Sequence, residues 1–330
     1  MDQAGLRSSN LPVVPWSDDY WPMCRGILGC RYADPDFPKI KGDDEGYDWK
    51  ENYDYIASNR AAKVLSSGDA AAIDRLSPAE KYDTLVGDPE FTLTRQMWSE
   101  GRRYYDKYGR VERWMGICHG WTPAAYMLDR PTSAVPVIAA DGTPLVFYPS
   151  DIKALASLLW ASVRTASRFI GGRCNFKEDE KEVERDPETG RIVSSHCFDT
   201  NPGAWHLAVV NQIGVSQRSF VMDATFDYEV WNQPILSYGY RYFNPKIMQL
   251  SDSLDGARVS IGDFDNDWFA KYRSCTAATV VGIAMEIAYM VETSPSHNQT
   301  DSHENDGIKR VFYTLNYKKF NFIILSSIMT

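Results

Sequence analysis

The sequence predicts an α+β protein whose first half is mainly helical and whose later part is rich in strands. Helix-capping signals recur up to about residue 172, and β-branched apolar runs become common from residue 206 onward. With 330 residues, of which 44% are hydrophobic, the chain can bury a full core. We therefore expect an N-terminal, mainly helical subdomain over 1–90, a central core over 91–245 and a strand-rich part over 246–330.

The helices of the first half are predicted from their end signals. Ser77-Pro78-Ala79-Glu80 reads as an N-cap, a first-turn proline and a capping-box acid. Ser150 and Asp151 start a long amphipathic pattern that Gly171 and Gly172 close. Two further helical stretches are predicted around 51–65 and over 94–108, the second ending at Gly109.

Strands are predicted after these helices. The runs 206–215 and 219–226 are apolar and β-branched and are separated by a short turn, which favours a hairpin. Residues 186–190, Asp-Pro-Glu-Thr-Gly, predict a turn. The apolar stretch 279–290 fits a strand or a helix, because its periodicity favours neither.

Cys118 is the strongest candidate for a reactive side chain. It lies at the predicted start of a helix, whose positive end stabilises a thiolate. Gly116 and Gly120 flank it, and residues without side chains would let a substrate approach the sulfur. The alternative, that Cys118 is a small buried hydrophobic residue, stays open at this point.

A cysteine acyltransferase also needs a base and a group that orients the base. His206 is the best candidate base, because among the histidines only this one begins an apolar, strand-like run. Asp223 is the candidate orienting acid, and Asp227 is the alternative, since a small shift in hairpin register exchanges the two. Either acid could instead be a turn residue. Trp114 or Gln96, with the backbone N–H of Cys118, could stabilise an oxyanion.

The six cysteines allow several disulfide patterns. Cys24 and Cys30 flank a short loop, and Cys174 and Cys197 flank a charged run. If both pairs were bridged, Cys118 and Cys275 would remain as thiols, a pattern that suits an oxidising compartment. The sequence does not fix the connectivity.

Composition and motifs limit the partners. The net charge of −9 argues against a nucleic-acid partner and favours lysine-bearing proteins. No stretch approaches the ~18 apolar residues of a membrane span. Asp263, Asp265 and Asp267 alternate as in a calcium loop, but Trp268 and Ser274 replace the required Gly and Glu, which excludes an EF-hand and leaves a looser oxygen site open.

Several motifs together resemble the transglutaminase elicitor family, calcium-dependent secreted enzymes of plant-pathogenic oomycetes with relatives in marine bacteria. The run 114–125 is similar to the family's active-site cysteine segment. Residues 230–234, Val-Trp-Asn-Gln-Pro, match the start of the surface peptide by which plants detect the family, although Ile235-Leu236-Ser237 replaces its continuation. Further similar motifs are Tyr20-Trp21-Pro22, 77–82, 149–155 and Asn201-Pro202.

The resemblance implies a papain-like catalytic core with Cys118 as nucleophile, His206 as base and Asp223 as orienting acid. The implied reaction joins glutamine and lysine side chains of protein substrates through a Cys118 thioester, with calcium as cofactor and an extracellular location. Residues 1–10 lack the apolar core of a secretory signal, and the tail from about 316 differs from the family, which would suit a truncated strand region.

Two alternatives stay open on the sequence. A papain-like cysteine peptidase or amidase would use the same three residues with water as the acceptor. A non-catalytic, elicitor-like recognition protein would depend on the segment around Trp231 instead. Trp231 itself fits either a core position or the wall of a substrate groove.

Overall fold

The computed structural model describes residues 1, 4–39, 49–164, 166–172, 184–194, 197, 200–225, 228–273 and 275–315. The chain forms two compact units that alternate along the sequence. The first unit comprises Met1–Val14, Thr165–Met290 and Ile308–Thr330, and the second comprises Pro15–Arg164 and Val291–Gly307. The division into the consecutive segments 1–90, 91–245 and 246–330 stays a prediction.

The described residues contain helices and strands in mixed order along the chain. They are β1 (Ser8–Asn10), α1 (Trp49–Ser58), α2 (Ala61–Ser67), α3 (Ala70–Asp74), α4 (Pro78–Val86), α5 (Thr92–Tyr108), α6 (Cys118–Met127), β2 (Val135–Ile138), β3 (Pro144–Phe147), α7 (Pro149–Ser162), α8 (Pro202–Val209), a π-helix (Val210–Val215), β4 (Val221–Asp223), β5 (Asn232–Asn244), β6 (Gln249–Ser251), α9 (Leu254–Ala257), β7 (Val259–Ser260), β8 (Thr279–Val280), β9 (Gly282–Val291) and β10 (Gly307–Leu315). None of these helices is long and apolar enough to cross a bilayer.

A six-stranded sheet organises the first unit. Its order is β1-β5-β9-β10, and β4 and β6 pair with the two ends of the long strand β5. The pairings of β5 with β1, β4, β6 and β9 are antiparallel. The open question about 279–290 is thereby settled as strand, since β9 pairs along most of β5. Nearly every residue of β5 is buried, as expected for a strand with neighbours on both edges.

The second unit is built mainly from helices, and the predicted start of α4 is confirmed. Ser77 accepts a hydrogen bond from the N–H of Glu80, and the Glu80 carboxylate accepts one from the N–H of Ser77, which completes the capping box of α4. The same carboxylate accepts two hydrogen bonds from the buried Arg31 guanidinium, from Nη2 at 2.6 Å and from Nε at 2.8 Å. A second buried pair joins Lys81 to Asp151 at 2.7 Å. The capping signal therefore also fixes how α4 packs.

Ion pairs also hold the chain segment 291–307 within the second unit. Arg130 contacts Asp301 at 2.7 Å and Asp306 at 2.5 Å, and Lys153 contacts Asp301 at 2.8 Å. All four side chains are at least nine-tenths buried. The N–H of Ser17 adds a hydrogen bond to Asp306 at 2.9 Å.

Three secondary-structure predictions are wrong. The single helical stretch predicted around 51–65 is two helices, α1 and α2, because the backbone of Arg60 between them is not helical. Residues 206–215 are helical, because Asn201 caps α8 by accepting hydrogen bonds from two N–H groups and Pro202 occupies its first turn. The helix predicted from 150 to 172 ends at Ser162, and the backbone of the next residue, Val163, is extended. Ser and Val have low helix propensity, and the side chain of Val163 is exposed, so packing does not offset that preference.

Of the two disulfide pairings considered above, the one between Cys24 and Cys30 does not form. Cys24 and Cys30 are thiols, both buried, and burial raises the pKa of each to about 12. Cys197 is disulfide-bonded, while Cys174 lies outside the described residues, as do Asp227 and the tail from 316. Cys275 is an exposed thiol.

Candidate active site

Cys118 is the first residue of α6, as predicted. Its side chain is 5% exposed and packs in an apolar cluster with Trp16, Trp121, Ala124 and Ala125. The carbonyl of Ile117 accepts the first hydrogen bonds of the helix, from the N–H groups of Gly120 and Trp121. The thiol therefore lies at the positive end of a helix, whose dipole favours a thiolate, and in apolar surroundings, which favour the neutral thiol. His119, the next residue, is exposed and so lies on the solvent side of α6.

The two glycines that flank Cys118 have a structural role rather than the predicted one of opening the sulfur to a substrate. A Cβ on Gly116 would lie 2.5 Å from the Tyr20 carbonyl oxygen, and one on Gly120 would lie 2.2 Å from the Ser157 carbonyl oxygen. The space beside each glycine is thus occupied by the backbone of the same unit. Their absence of side chains allows α6 and the residues before it to approach neighbouring segments closely.

The segment 18–23 runs beside the residues that precede Cys118. The N–H of Ile117 donates to the Tyr20 carbonyl at 2.8 Å, and the N–H of Met23 donates to the Met115 carbonyl at 2.8 Å. The Tyr20 hydroxyl adds a hydrogen bond to the Arg113 carbonyl at 2.9 Å. These contacts fix the backbone at the entrance to α6.

Two acids on this segment were not selected from the sequence. Asp18 is 2% exposed and accepts a hydrogen bond from the Trp21 indole at 2.9 Å. Burial raises the pKa of Asp18 to about 8 and that of the neighbouring Asp19 to about 7. Asp19 also borders a cavity of about 280 Å³ that Arg25 and Glu292 line. The only sequence signal for a role of these two acids was their position next to the Tyr20-Trp21-Pro22 motif. Two adjacent aspartates by themselves indicate a solvent-exposed position.

His206 lies on α8, and not at the start of a strand as predicted. Its ring contacts Tyr240 of β5 edge to face, with 4.4 Å between ring centroids and an interplanar angle of 82°. The Nε2 atom is buried and has no hydrogen-bond partner among the described residues. Burial lowers the pKa of His206, and the positive charge of the amino group at Met1 lowers it further. These effects favour the neutral form of the imidazole, which is the form that can accept a proton.

Asp223 ends β4 and is 1% exposed. Its Oδ1 accepts hydrogen bonds from the N–H of Trp231 at 3.1 Å and from the hydroxyl of Thr225 at 3.2 Å. Donors of this kind stabilise a buried carboxylate and fix its orientation. His206 and Asp223 belong to the same unit, but no hydrogen bond joins these two side chains.

Trp231 and the residues after it form the start of the central strand. The Trp231 side chain is half-buried, and its indole donates to the Glu229 carboxylate at 2.9 Å. Asn232 and Gln233 are 8% and 3% exposed, and Ile235 is fully buried. The segment expected as a surface peptide therefore places most of its side chains in the interior of the first unit.

The candidate oxyanion donors lie in the second unit. The half-buried Trp114 donates its indole N–H to the Glu112 carboxylate at 2.8 Å, and Gln96 is exposed on α5. Cys118 belongs to the second unit too, whereas His206, Asp223 and Trp231 belong to the first. The roles predicted for these residues stay predictions.

The carboxylates of the loop 263–267 do not converge on a calcium site. Asp267 pairs with Arg273 at 2.8 Å, and Asp265 pairs with Lys246 at 3.2 Å, so cations of the protein already neutralise two of the three carboxylates of the loop 263–267. Within the described residues no group of three His, Cys, Asp or Glu side chains could hold a metal ion. Calcium needs several converging oxygen ligands, and we derive no step of the reaction through it.

Comparison with known proteins agrees with the motifs. No curated protein is significantly similar to the chain in sequence. A solved structure, that of the GP42 transglutaminase from Phytophthora sojae, is similar in fold, with a TM-score of 0.56 and 18% sequence identity over 98% of this chain and 80% of the other. The family model described as "Transglutaminase elicitor" matches residues 3–307. The chain belongs to the transglutaminase elicitor family.

Proposed function

We propose that the chain is a protein-glutamine γ-glutamyltransferase with Cys118 as its nucleophile. The observation that carries the proposal is the position of Cys118 at the N-terminus of α6, in a chain that belongs to the transglutaminase elicitor family. His206 is the base, and Asp223 is the acid that orients it, within a papain-like core. Both lie in the first unit, where burial lowers the pKa of the His206 imidazole and hydrogen bonds hold the Asp223 side chain.

The first half of the reaction forms a thioester. His206 takes the proton of the Cys118 thiol, and the sulfur attacks the carboxamide carbon of a substrate glutamine. As the tetrahedral intermediate collapses, the C–N bond breaks and the imidazolium returns the proton to the leaving nitrogen, so that ammonia is released. Backbone N–H groups at the start of α6 stabilise the oxyanion.

The second half transfers the acyl group to a lysine. The amine attacks the thioester carbon, and His206 accepts a proton from the amine nitrogen. The C–S bond then breaks, and the imidazolium gives that proton to the sulfur, which restores the thiol and the neutral base. The product is an isopeptide bond between two protein substrates. Water in place of the amine gives deamidation of the glutamine to glutamate.

The partners in this proposal are proteins bearing accessible glutamine and lysine side chains. The net charge of −9 favours encounter with lysine-bearing acceptors. Calcium dependence and secretion belong to the proposal through the family resemblance.

Incorporation of a fluorescent primary amine into a glutamine-bearing protein tests the proposal. We expect labelling by the wild-type chain and by Cys275→Ala, which removes an exposed thiol, and no labelling by Cys118→Ala at an unchanged melting temperature. Repeating the assay with calcium and with a chelator tests the cofactor. Labelling that survives in Cys118→Ala would contradict the proposed nucleophile.

The same assay without amine separates the transferase from a hydrolase. Ammonia release without peptide-bond cleavage indicates deamidation through the same thioester. Cleavage of the protein backbone, measured by mass spectrometry and dependent on Cys118, would support the papain-like peptidase instead.

A further inference from the structure

A groove on the second unit lies between α1, the start of α2 and α5. Its volume is about 540 Å³, within the range typical of ligand-binding pockets. The floor is apolar: Ile56 and Trp98 are buried, and Tyr53 and Phe91 are half-buried. A space of this size and composition accommodates one aromatic or large aliphatic side chain.

Arginines surround this apolar floor. Arg60, Arg95 and Arg102 are exposed at the rim. Two acids also line the groove: Glu90, which is exposed, and Glu80, which is buried and whose charge is neutralised by its ion pair with Arg31. The guanidinium of Arg102 also lies 5.7 Å from the centre of the Tyr53 ring. This positive rim contrasts with the net charge of −9 of the whole chain. It therefore selects for anionic groups next to an apolar one.

The rim arginines are available to a ligand at little energetic cost. Arg95 meets Glu90 at 3.4 Å and Arg102 meets Asp106 at 3.7 Å, and all four of these side chains are more than half exposed. Among the described residues Arg60 forms no ion pair. Exposed pairs contribute little to stability, so carboxylates of a ligand can replace them.

We infer that this groove binds an acidic peptide segment that inserts an aromatic side chain between α1 and α5, with its flanking carboxylates on Arg60 and Arg102. The ring packs on Tyr53, Phe91 and Trp98, and the two guanidinium groups fix the direction of the segment. Such a groove would recruit protein partners by a segment other than the one that reacts. Binding is independent of the chemistry of Cys118 and can be measured without turnover.

Fluorescence polarisation with a labelled short peptide that alternates aspartate and phenylalanine tests the inference. We expect binding to the wild-type chain that weakens as NaCl is raised. Arg60→Ala and Arg102→Ala should each weaken binding roughly two- to fivefold, with a larger loss in the double variant. Ala57→Trp, at an exposed lining position on α1, should obstruct the groove and abolish binding.

Arg103→Ala is the matched control, because Arg103 is an exposed arginine of α5 that pairs with Glu100 and does not line the groove. It should bind like the wild type. Peptides with lysine in place of aspartate, or serine in place of phenylalanine, should not bind. The inference is wrong if the folded wild type does not bind the acidic peptide, if the lysine peptide binds equally well, or if the arginine double variant binds unchanged.

Discussion

Burial is the main influence on the protonation of His206, Asp18 and Asp19. Desolvation is the largest cause that lowers the pKa of His206 and the largest that raises the pKa of Asp18 and Asp19. In each case the neutral form is favoured. A neutral imidazole can act as a base in the reaction, whereas the protonation of Asp18, which is hydrogen-bonded to Trp21, affects the stability of the fold. His206 should therefore determine the pH dependence of activity, and Asp18 the pH dependence of stability.

The pH dependence of amine incorporation should reflect His206. Because its pKa is lowered, the imidazole stays neutral, and able to accept a proton, at pH values below the ordinary histidine value of about 6.5. We expect kcat/KM to fall on the acidic side only below that value and His206→Asn to abolish turnover. An acidic limb centred above about 6.5 would contradict the role of His206.

The pH dependence of stability should reflect Asp18. Its pKa is about 8 in the folded chain against the ordinary 3.8, so between these values the unfolded chain loses a proton that the folded chain keeps. Stability therefore decreases as pH rises through this window. Melting curves should show the wild type losing stability relative to Asp18→Asn between about pH 4 and about pH 8. A constant difference across the window would show that Asp18 ionises equally in both states.

At the scale of elements, the sequence is most predictive where a helix end carries its own signal. Ser77 and Glu80 predict the start of α4, and Gly109 predicts the end of α5. The start of α8 carries an equally clear signal in Asn201-Pro202, but the β-branched run that follows outweighed it and His206 was placed on a strand. Val209 and Val210 of that run are buried in the first unit, so tertiary packing overrides their strand preference.

The site was predictable only in part for a similar reason. Cys118 could be placed at a helix start from the local sequence. The packing role of Gly116 and Gly120 could not be predicted, because it depends on Tyr20 and Ser157, which are distant along the chain. Their carbonyl oxygens lie where a side chain at each glycine would have to fit. Asp18 and Asp19 could not be selected because their burial is a tertiary property.

Close packing of α6 against α7 predicts the effect of Gly120→Ala. The added methyl group would lie 2.2 Å from the Ser157 carbonyl and 2.6 Å from the Ala161 side chain, so the helices must separate. We expect a loss of about 1–3 kcal/mol in the free energy of unfolding, larger than the ~1 kcal/mol that alanine gains in helix propensity. Urea unfolding measures this loss.

Gly172→Ala is the control for that substitution. A Cβ at Gly172 would meet no atom within 4 Å, so its stability should equal that of the wild type. If Gly120→Ala were as stable as Gly172→Ala, the packing role of Gly120 would be wrong.

At the scale of the whole molecule, each unit is assembled from segments far apart in sequence. In the second unit the segment Val291–Gly307 returns to residues 15–164 and is held through Arg130 and Lys153. Removing Arg130 leaves the Asp301 and Asp306 carboxylates buried and short of a cation. A buried charge that loses its partner is costly.

Arg130→Met should therefore lower the free energy of unfolding by about 3–5 kcal/mol. Lys50→Met, which removes the exposed pair of Lys50 with Asp54 in the same unit, should cost less than about 1 kcal/mol. Urea titration and hydrogen exchange of 291–307 measure both. Equal losses in the two variants would contradict the importance of the buried network.

The central claim, that Cys118 carries the acyl group of a substrate glutamine, is tested most directly by trapping the thioester. The chain is mixed with a glutamine-bearing peptide without amine, quenched in acid and weighed by intact-mass spectrometry. We expect an adduct equal to the mass of the peptide less ammonia, located at Cys118 by peptide mapping and absent from Cys118→Ala. Turnover of the glutamine with an adduct on another residue, or with the same adduct on Cys118→Ala, would contradict it.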